Sequence, residues 1–221
     1  MSLKSVIVNP KAQHTATVFF LHGLGDTGFG WQPVGEMLSP KLPHVKWVFP
    51  HAPQRPVTLN GGMMMPAWYD IKELLAGVNE DEAGLLDTAK KVHEMIRAEI
   101  DSGIPADRII LGGFSQGAAS TIVAGLTSDV KLAGLVVLSG YAPLSHKIGQ
   151  LKKNVNDATP IFAAHGMLDQ VVKYEWGQMS AGALKHRFNL NLEFKTYHDM
   201  GHSTDPQELV DLAEFIKKTL P

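Results

Sequence analysis

Residues 113–117 read Gly113-Phe114-Ser115-Gln116-Gly117. An apolar run, Arg108-Ile109-Ile110-Leu111-Gly112, precedes them and a helix-like run from Ala118 to Gly125 follows. A serine on such a strand-to-helix turn projects its hydroxyl above the sheet in strained backbone geometry, as a nucleophile requires. Glycines on either side avoid a β-carbon where strand and helix crowd together. Gln116 would open the helix, leaving its backbone N–H free to stabilise an oxyanion. The bland alternative is a glycine-rich β–α turn without chemistry.

A serine hydroxyl needs a base, and the base needs an orienting acid. On a sheet of this kind both follow the serine in chain order. The apolar run Pro160–Ala164 ends in His165-Gly166-Met167-Leu168-Asp169, which puts Asp169 past a strand's carboxyl end and leaves Asp157 on the opposite edge. The last strand leads into His198-Asp199-Met200-Gly201-His202. Both histidines are candidates for the base; His202, on the loop after a glycine, is favoured over His198, which abuts the strand. His165 reads as a packing or supporting residue. No histidine pattern has metal-ligand spacing, so no metal is expected.

Residues 23–28, Gly23-Leu24-Gly25-Asp26-Thr27-Gly28, spell G-x-G-x-x-G. A dinucleotide-binding turn would need no carboxylate beside the pyrophosphate and an acid at the end of the next strand. Asp26 and the Pro50-His51 strand end argue against both. The competing role is a second oxyanion donor, the N–H of Leu24 opposite that of Gln116.

The elements that must position these residues follow from pattern. Strands are expected at Thr17–Leu21, Val45–Phe49, Arg108–Leu111, Leu132–Leu138, Pro160–Ala164 and Leu192–Tyr197, several of them continuous apolar runs that suit burial on both faces. Leu85, Ala89, Val92, Ile96 and Ile100 recur at helical spacing between Asp81 and Asp101. Ser115–Thr127, Tyr174–Phe188 and Pro206–Leu220 are the other expected helices, the last with Pro206 in its first turn and Asp205 or Thr204 as cap. Alternating strands and helices imply an α/β fold, a mostly parallel sheet covered on both faces, over one domain spanning residues 1–221.

With 44% hydrophobic and 19% charged residues, the 221-residue chain has a globular composition. A formal net charge of −2, evenly spread, argues against a nucleic-acid partner. No apolar run reaches the roughly 18 residues of a membrane span. Met1-Ser2-Leu3-Lys4-Ser5 lacks the apolar core of a signal peptide, so a cytoplasmic location is expected, with the nucleus as a second one. The chain has no cysteine, which removes disulfides, thiolate metal sites and S-acyl anchors.

Taken together, these residues resemble the acyl-protein thioesterase (phospholipase/carboxylesterase) family of α/β-hydrolases over nearly the whole chain. The blocks that carry the likeness are 20–28 (Phe20-Leu21-His22-Gly23-Leu24-Gly25-Asp26-Thr27-Gly28), 50–60, Met65-Pro66-Ala67-Trp68-Tyr69-Asp70 and 108–117. The resemblance implies Ser115, Asp169 and His202 as triad, Leu24 and Gln116 as oxyanion donors, no cofactor, no large lid domain, and hydrolysis of fatty-acyl thioesters on protein cysteines. Lysophospholipids and carboxyl esters are its further substrates. It also implies transient contact with membrane surfaces and weak homodimers. A non-catalytic acyl-binding protein would require a broken triad. Three positions depart from the family pattern: Ser2 replaces an acylated cysteine, Tyr141 stands where a Trp is common, and Met167 where an acid is common. For the acyl chain, the sequence suggests a channel of Met63, Met64, Met65, Trp68, Ile71, Leu74 and Leu75, with Tyr141 at the pocket, because methionine adapts to chains of variable length; the alternative is that these side chains fill core beneath a long loop.

Overall fold

The computed structural model describes residues 3–73 and 78–221. Its central sheet has seven strands: β1 (Ser5–Val8), β2 (Ala16–Leu21), β3 (Val45–Pro50), β6 (Ile109–Phe114), β7 (Gly134–Leu138), β8 (Ile161–Gly166) and β9 (Leu192–Tyr197), in the spatial order β1-β3-β2-β6-β7-β8-β9. β1 runs antiparallel to β3, and the other pairings of this sheet are parallel. A separate hairpin joins β4 (Gln54–Val57) to β5 (Met63–Pro66).

Period-two alternation sorts the strand residues onto two covered faces. Phe19, Leu21, Ile109, Leu111, Leu135, Val137, Ile161 and Ala163 pack with α2 (Glu82–Asp101), α3 (Gln116–Thr127) and α5 (Tyr174–Gly182). Val18, Phe20, Ile110, Val136, Leu138, Phe162 and Ala164 pack on the other face with α1 (Gly28–Leu38) and α6 (Pro206–Thr219). A short helix, α4 (Ile148–Leu151), lies in the β7–β8 crossover. The architecture is the expected α/β-hydrolase sheet, with no large lid among the described residues.

Several boundaries differ from expectation. β6 runs through Phe114, so the strand carries the chain directly to Ser115, and α3 begins one residue later. The expected helix Tyr174–Phe188 is α5 followed by a wider π-type turn over Ala183–Arg187. β1, the hairpin and α1 were not legible as periodic runs. In α1, three glycines and Pro33 obscure the helical pattern. Two of those glycines are needed for close approach: a β-carbon on Gly28 would lie 2.2 Å from the carbonyl oxygen of Phe49, and one on Gly35 would lie 2.7 Å from the Phe49 ring.

Candidate active site

The backbone at Ser115 has φ 55° and ψ −117°, a region that a side-chain-bearing residue occupies only under strain. The surroundings enforce it. The Ser115 N–H donates to the carbonyl of Leu138 at 2.9 Å. A β-carbon on Gly113 would lie 2.4 Å from the backbone of Gly117, and one on Gly117 would lie 2.1 Å from the carbonyl oxygen of Leu21. Both glycines of the pentapeptide are therefore demanded by packing between β6, α3 and β2.

β8 and β9 end together, with Gly166 opposite Tyr197, so the loops after them are neighbours above the sheet. The first carries Asp169 and the second His202. His202 Nδ1 lies 2.7 Å from Asp169 Oδ2, and His202 Nε2 lies 2.9 Å from Ser115 Oγ. The carboxylate only accepts, so Nδ1 carries the hydrogen and donates it. Nε2 then has a free lone pair and accepts from the serine hydroxyl. The Phe114 ring packs against the imidazole with centroids 4.7 Å apart.

Asp169 is buried and satisfied on both oxygens. Oδ1 accepts from the N–H groups of Val171 (2.8 Å) and Val172 (2.9 Å). Oδ2 accepts from His202 and faces His165 Nε2 at 3.3 Å. Burial by itself would push this carboxyl up; the hydrogen bonds from His165 and His202, with the Val171 N–H, hold it well below the usual carboxylate range. His165 Nε2 also lies 2.8 Å from the carbonyl of Val172, an obligate acceptor, so it carries a hydrogen and ties the acid to its own loop. His198 makes no hydrogen bond to any of these groups.

Leu24 lies on the loop after β2. A β-carbon on the adjacent Gly23 would sit 3.5 Å from Ser115 Cβ, which places this loop directly against the serine. The N–H of Gln116 is the first of α3 and has no intrahelical acceptor. His22, buried beneath the loop, is fixed as a neutral imidazole: Nδ1–H donates to the Gly23 carbonyl (2.7 Å) and Nε2 accepts from the Ala52 N–H (3.0 Å). Burial lowers its pKa, consistent with that state. Asp26 folds back onto the start of α1, accepting from the Thr27 N–H at 2.7 Å, and so occupies the helix end that a pyrophosphate would need.

The Gln116 side chain makes a second contribution. Its Oε1 accepts from the Trp68 N–H (2.9 Å) and its Nε2 donates to the Tyr69 carbonyl (2.7 Å). The Trp68 indole N–H donates to the His22 carbonyl at 2.8 Å. Segment 68–69 is thus hydrogen-bonded to both loops that hold Leu24 and Gln116.

Beside Ser115 opens a cavity of about 270 Å³, lined by Leu24, Leu59, Asn60, Tyr69, Ile71, Glu73, Tyr141, Val171, Val172 and Trp176 together with Ser115 and Gln116. Tyr141 and Ile71 are where a channel reading puts them. Met63, Met64, Met65 and Trp68 do not line it, which corrects the expected channel. Met63 and Met64 stand 64% and 60% exposed, on opposite faces of a two-stranded hairpin that is uncovered on both sides there, and Met65 contacts Asn60 Nδ2 through its sulfur. Trp68 is fully buried below the cavity by its indole hydrogen bond. Leu74 and Leu75 lie outside the described residues. Val171 and Val172, two and three residues after Asp169, and Trp176 carry no local sequence signal for the lining, and Tyr69 stands out only as part of the 65–70 block.

Comparison with known proteins shows the family. The phospholipase/carboxylesterase family pattern matches residues 3–220. An acyl-protein thioesterase 1 from Cryptococcus neoformans is 47% identical over 234 residues, covering 99% of this chain and 98% of the relative. Another from Neurospora crassa is 48% identical, covering 98% of this chain and 91% of its own length. The crystal structure of Zea mays acyl-protein thioesterase 2 superposes with a TM-score of 0.89 at 33% identity, covering 99% of each chain. The chain belongs to the phospholipase/carboxylesterase family of α/β-hydrolases and is a hydrolase.

Proposed function

We propose that this chain is an acyl-protein thioesterase that removes palmitoyl-type acyl groups from protein cysteines through an acyl-enzyme on Ser115. His202 Nε2 takes the hydroxyl proton as Ser115 Oγ attacks the acyl carbonyl. Asp169 holds the imidazole in the required tautomer and offsets its charge. The N–H groups of Leu24 and Gln116 stabilise the tetrahedral oxyanion. The C–S bond breaks, the imidazolium protonates the leaving thiolate, and water repeats the sequence on the acyl-enzyme, releasing a fatty acid. The observation that carries this reading is the unbroken hydrogen-bond chain from Asp169 through His202 to the strained Ser115, beside an apolar cavity.

The printed names of the relatives support an S-acylated protein as substrate. The continuous seven-stranded sheet supports reading the chain as one domain. The reading places the enzyme in the cytoplasm, meeting acylated proteins at membrane surfaces. Among the described residues no helix is long and apolar enough to cross a membrane.

A second reading, a carboxylesterase or lysophospholipase, is favoured by one feature: both oxyanion donors are backbone groups, indifferent to whether sulfur or oxygen leaves. A comparison of kcat/KM on acyl-cysteine peptides, lysophospholipids and short aryl esters separates the two. Acyl-cysteine peptides are expected to be the best substrates, and Ser115→Ala is expected to lower turnover at least ~10³-fold and to abolish fluorophosphonate labelling. Higher kcat/KM on either oxyester class would replace the thioesterase reading. Retained turnover in Ser115→Ala would remove the mechanism.

A further inference from the structure

The wall of the cavity beside Ser115, mostly apolar but also carrying Asn60 and Glu73, holds a pair of phenols. The hydroxyl oxygens of Tyr69 and Tyr141 lie 2.7 Å apart, and both residues line the cavity. Neither hydroxyl has another hydrogen-bond partner among the described residues. Two phenols carry two hydrogens, and their shared bond uses one. The second hydrogen has no acceptor among the described residues. Glu80 is close enough for its charge to act on both rings, but its Oε2 accepts from the Leu144 N–H and its Oε1 has no partner. Burial pushes both phenols up from their ordinary pKa and the Glu80 charge adds to this, outweighing the opposite effect of the Tyr69 hydrogen bond on Tyr141, so the spare hydrogen is present near neutral pH.

Tyr69 is only 3% exposed, so its hydroxyl can be reached only from the cavity. In the empty enzyme, water entering the cavity can accept the spare hydrogen. A saturated acyl chain expels that water and offers nothing in return, leaving a buried donor unsatisfied. An acyl chain with an oxygen at the matching depth would restore the bond. Leu24, Ile71, Val171 and Trp176, which line the same cavity, offer hydrocarbon contact to the rest of the chain.

We infer that the Tyr69–Tyr141 pair is an oxygen-recognising subsite of the acyl cavity: beside plain palmitoyl-type chains the enzyme takes acyl groups that carry a hydroxyl at one chain position, and takes those better. The inference rests on the reading of the cavity as an acyl site and specifies its substrate class. It predicts that the enzyme tolerates or prefers a hydroxyl at one chain position and discriminates against it elsewhere.

The test uses the full chain and a set of dodecanoyl substrates, plain or with a single hydroxyl moved along successive carbons. Each is prepared as a thioester and as an oxyester, so the profile stays measurable if the thioesterase reading fails. The quantity read is kcat/KM relative to the plain chain, which cancels differences in active fraction. The wild type is expected to give one maximum along the series, roughly tenfold above the other positions. The double variant Tyr69→Phe/Tyr141→Phe is expected to flatten it. Each single variant leaves one hydroxyl, displaced from the other, and should shift or lower the maximum. A flat wild-type profile would overturn the subsite without any variant being needed. A profile unchanged in the double variant would overturn it as well, as would an equal loss on plain and hydroxylated chains, which would place the pair at the reacting carbonyl.

Discussion

The side-chain amide of Gln116 donates to the Tyr69 carbonyl at 2.7 Å and accepts from the Trp68 N–H at 2.9 Å, so the residue beside the serine is also a strut for the cavity wall. A role confined to the backbone would make its side chain dispensable. The structure says otherwise, because truncation would strand two buried backbone groups at about 1–3 kcal/mol each. Gln116→Ala is expected to lower unfolding stability by about 2–4 kcal/mol and kcat by roughly tenfold. That loss is far smaller than for Ser115→Ala. Urea unfolding with single-turnover kinetics measures both, and an unchanged midpoint would remove the strut.

His165 and His202 meet the same oxygen of Asp169, Oδ2, and the Nε2 of His165 is shared between that oxygen and the Val172 carbonyl. His165→Phe keeps a ring in the space but deletes that donor. Asp169 retains its two backbone donors, so the fold is expected to survive. The carboxylate loses one anchor, and kcat is expected to fall about tenfold with KM little changed. A rise in KM at constant kcat would point instead to a distorted cavity.

Asp169 also makes a pH prediction. Its folded pKa is depressed by its hydrogen bonds, so its ionised form contributes stability that is complete above the unfolded value of about 3.9. That contribution is lost as pH falls through the folded pKa. Asp169→Asn removes it. The stability gap between wild type and variant is expected to be constant near neutrality and to close below about pH 4. Turnover of the variant is expected to fall about 10⁴-fold, because the imidazole loses its tautomer control. A gap that widens in acid would contradict the sign.

Glu208, in the first turn of α6, behaves in the opposite sense. Both its oxygens are buried without partners. Burial pushes its pKa up to about 8, and the charges of Asp205 and Asp211 add to that. A carboxyl with a raised folded pKa costs stability as pH rises from its unfolded value, about 4.3, towards 8. Glu208→Gln cannot ionise. The variant is expected to match wild type near pH 4 and to exceed it by about 1–3 kcal/mol at pH 8. Thermal melts across that range check it; equal melting temperatures at pH 8 would mean the carboxylate finds compensation on ionising.

These residues show what the sequence could and could not reveal. The pentapeptide, Asp169 and His202 were legible because each lies at or just beyond the carboxyl end of a strand, where chain order and the parallel sheet determine which edge it occupies. Continuous apolar strands were legible for the same reason. α1 was not, because Gly28 and Gly35 are dictated by contact with Phe49, a long-range constraint that erases helical periodicity. The anchoring of Asp169 by His165 depends on a carbonyl in the loop beyond, and the Tyr69–Tyr141 contact joins residues 72 apart in the chain. Neither leaves a local pattern. The methionine run misleads because three apolar residues in succession suggest a lining, whereas the two-stranded hairpin that carries them leaves both Met63 and Met64 exposed.

That correction makes the last prediction. Ile71 lines the cavity, while Met64 is 60% exposed on the hairpin. A polar group at position 71 would face the acyl chain inside the cavity, and each methylene it displaces from apolar contact forfeits about 0.8 kcal/mol. Ile71→Asn is therefore expected to lower kcat/KM on dodecanoyl thioesters by at least about tenfold relative to acetyl thioesters. Met64→Asn is expected to leave that ratio unchanged with monomeric substrates in solution. Chain-length series on both variants decide the matter. If Met64→Asn shifts the ratio and Ile71→Asn does not, the chain leaves Ser115 across the hairpin rather than through this cavity.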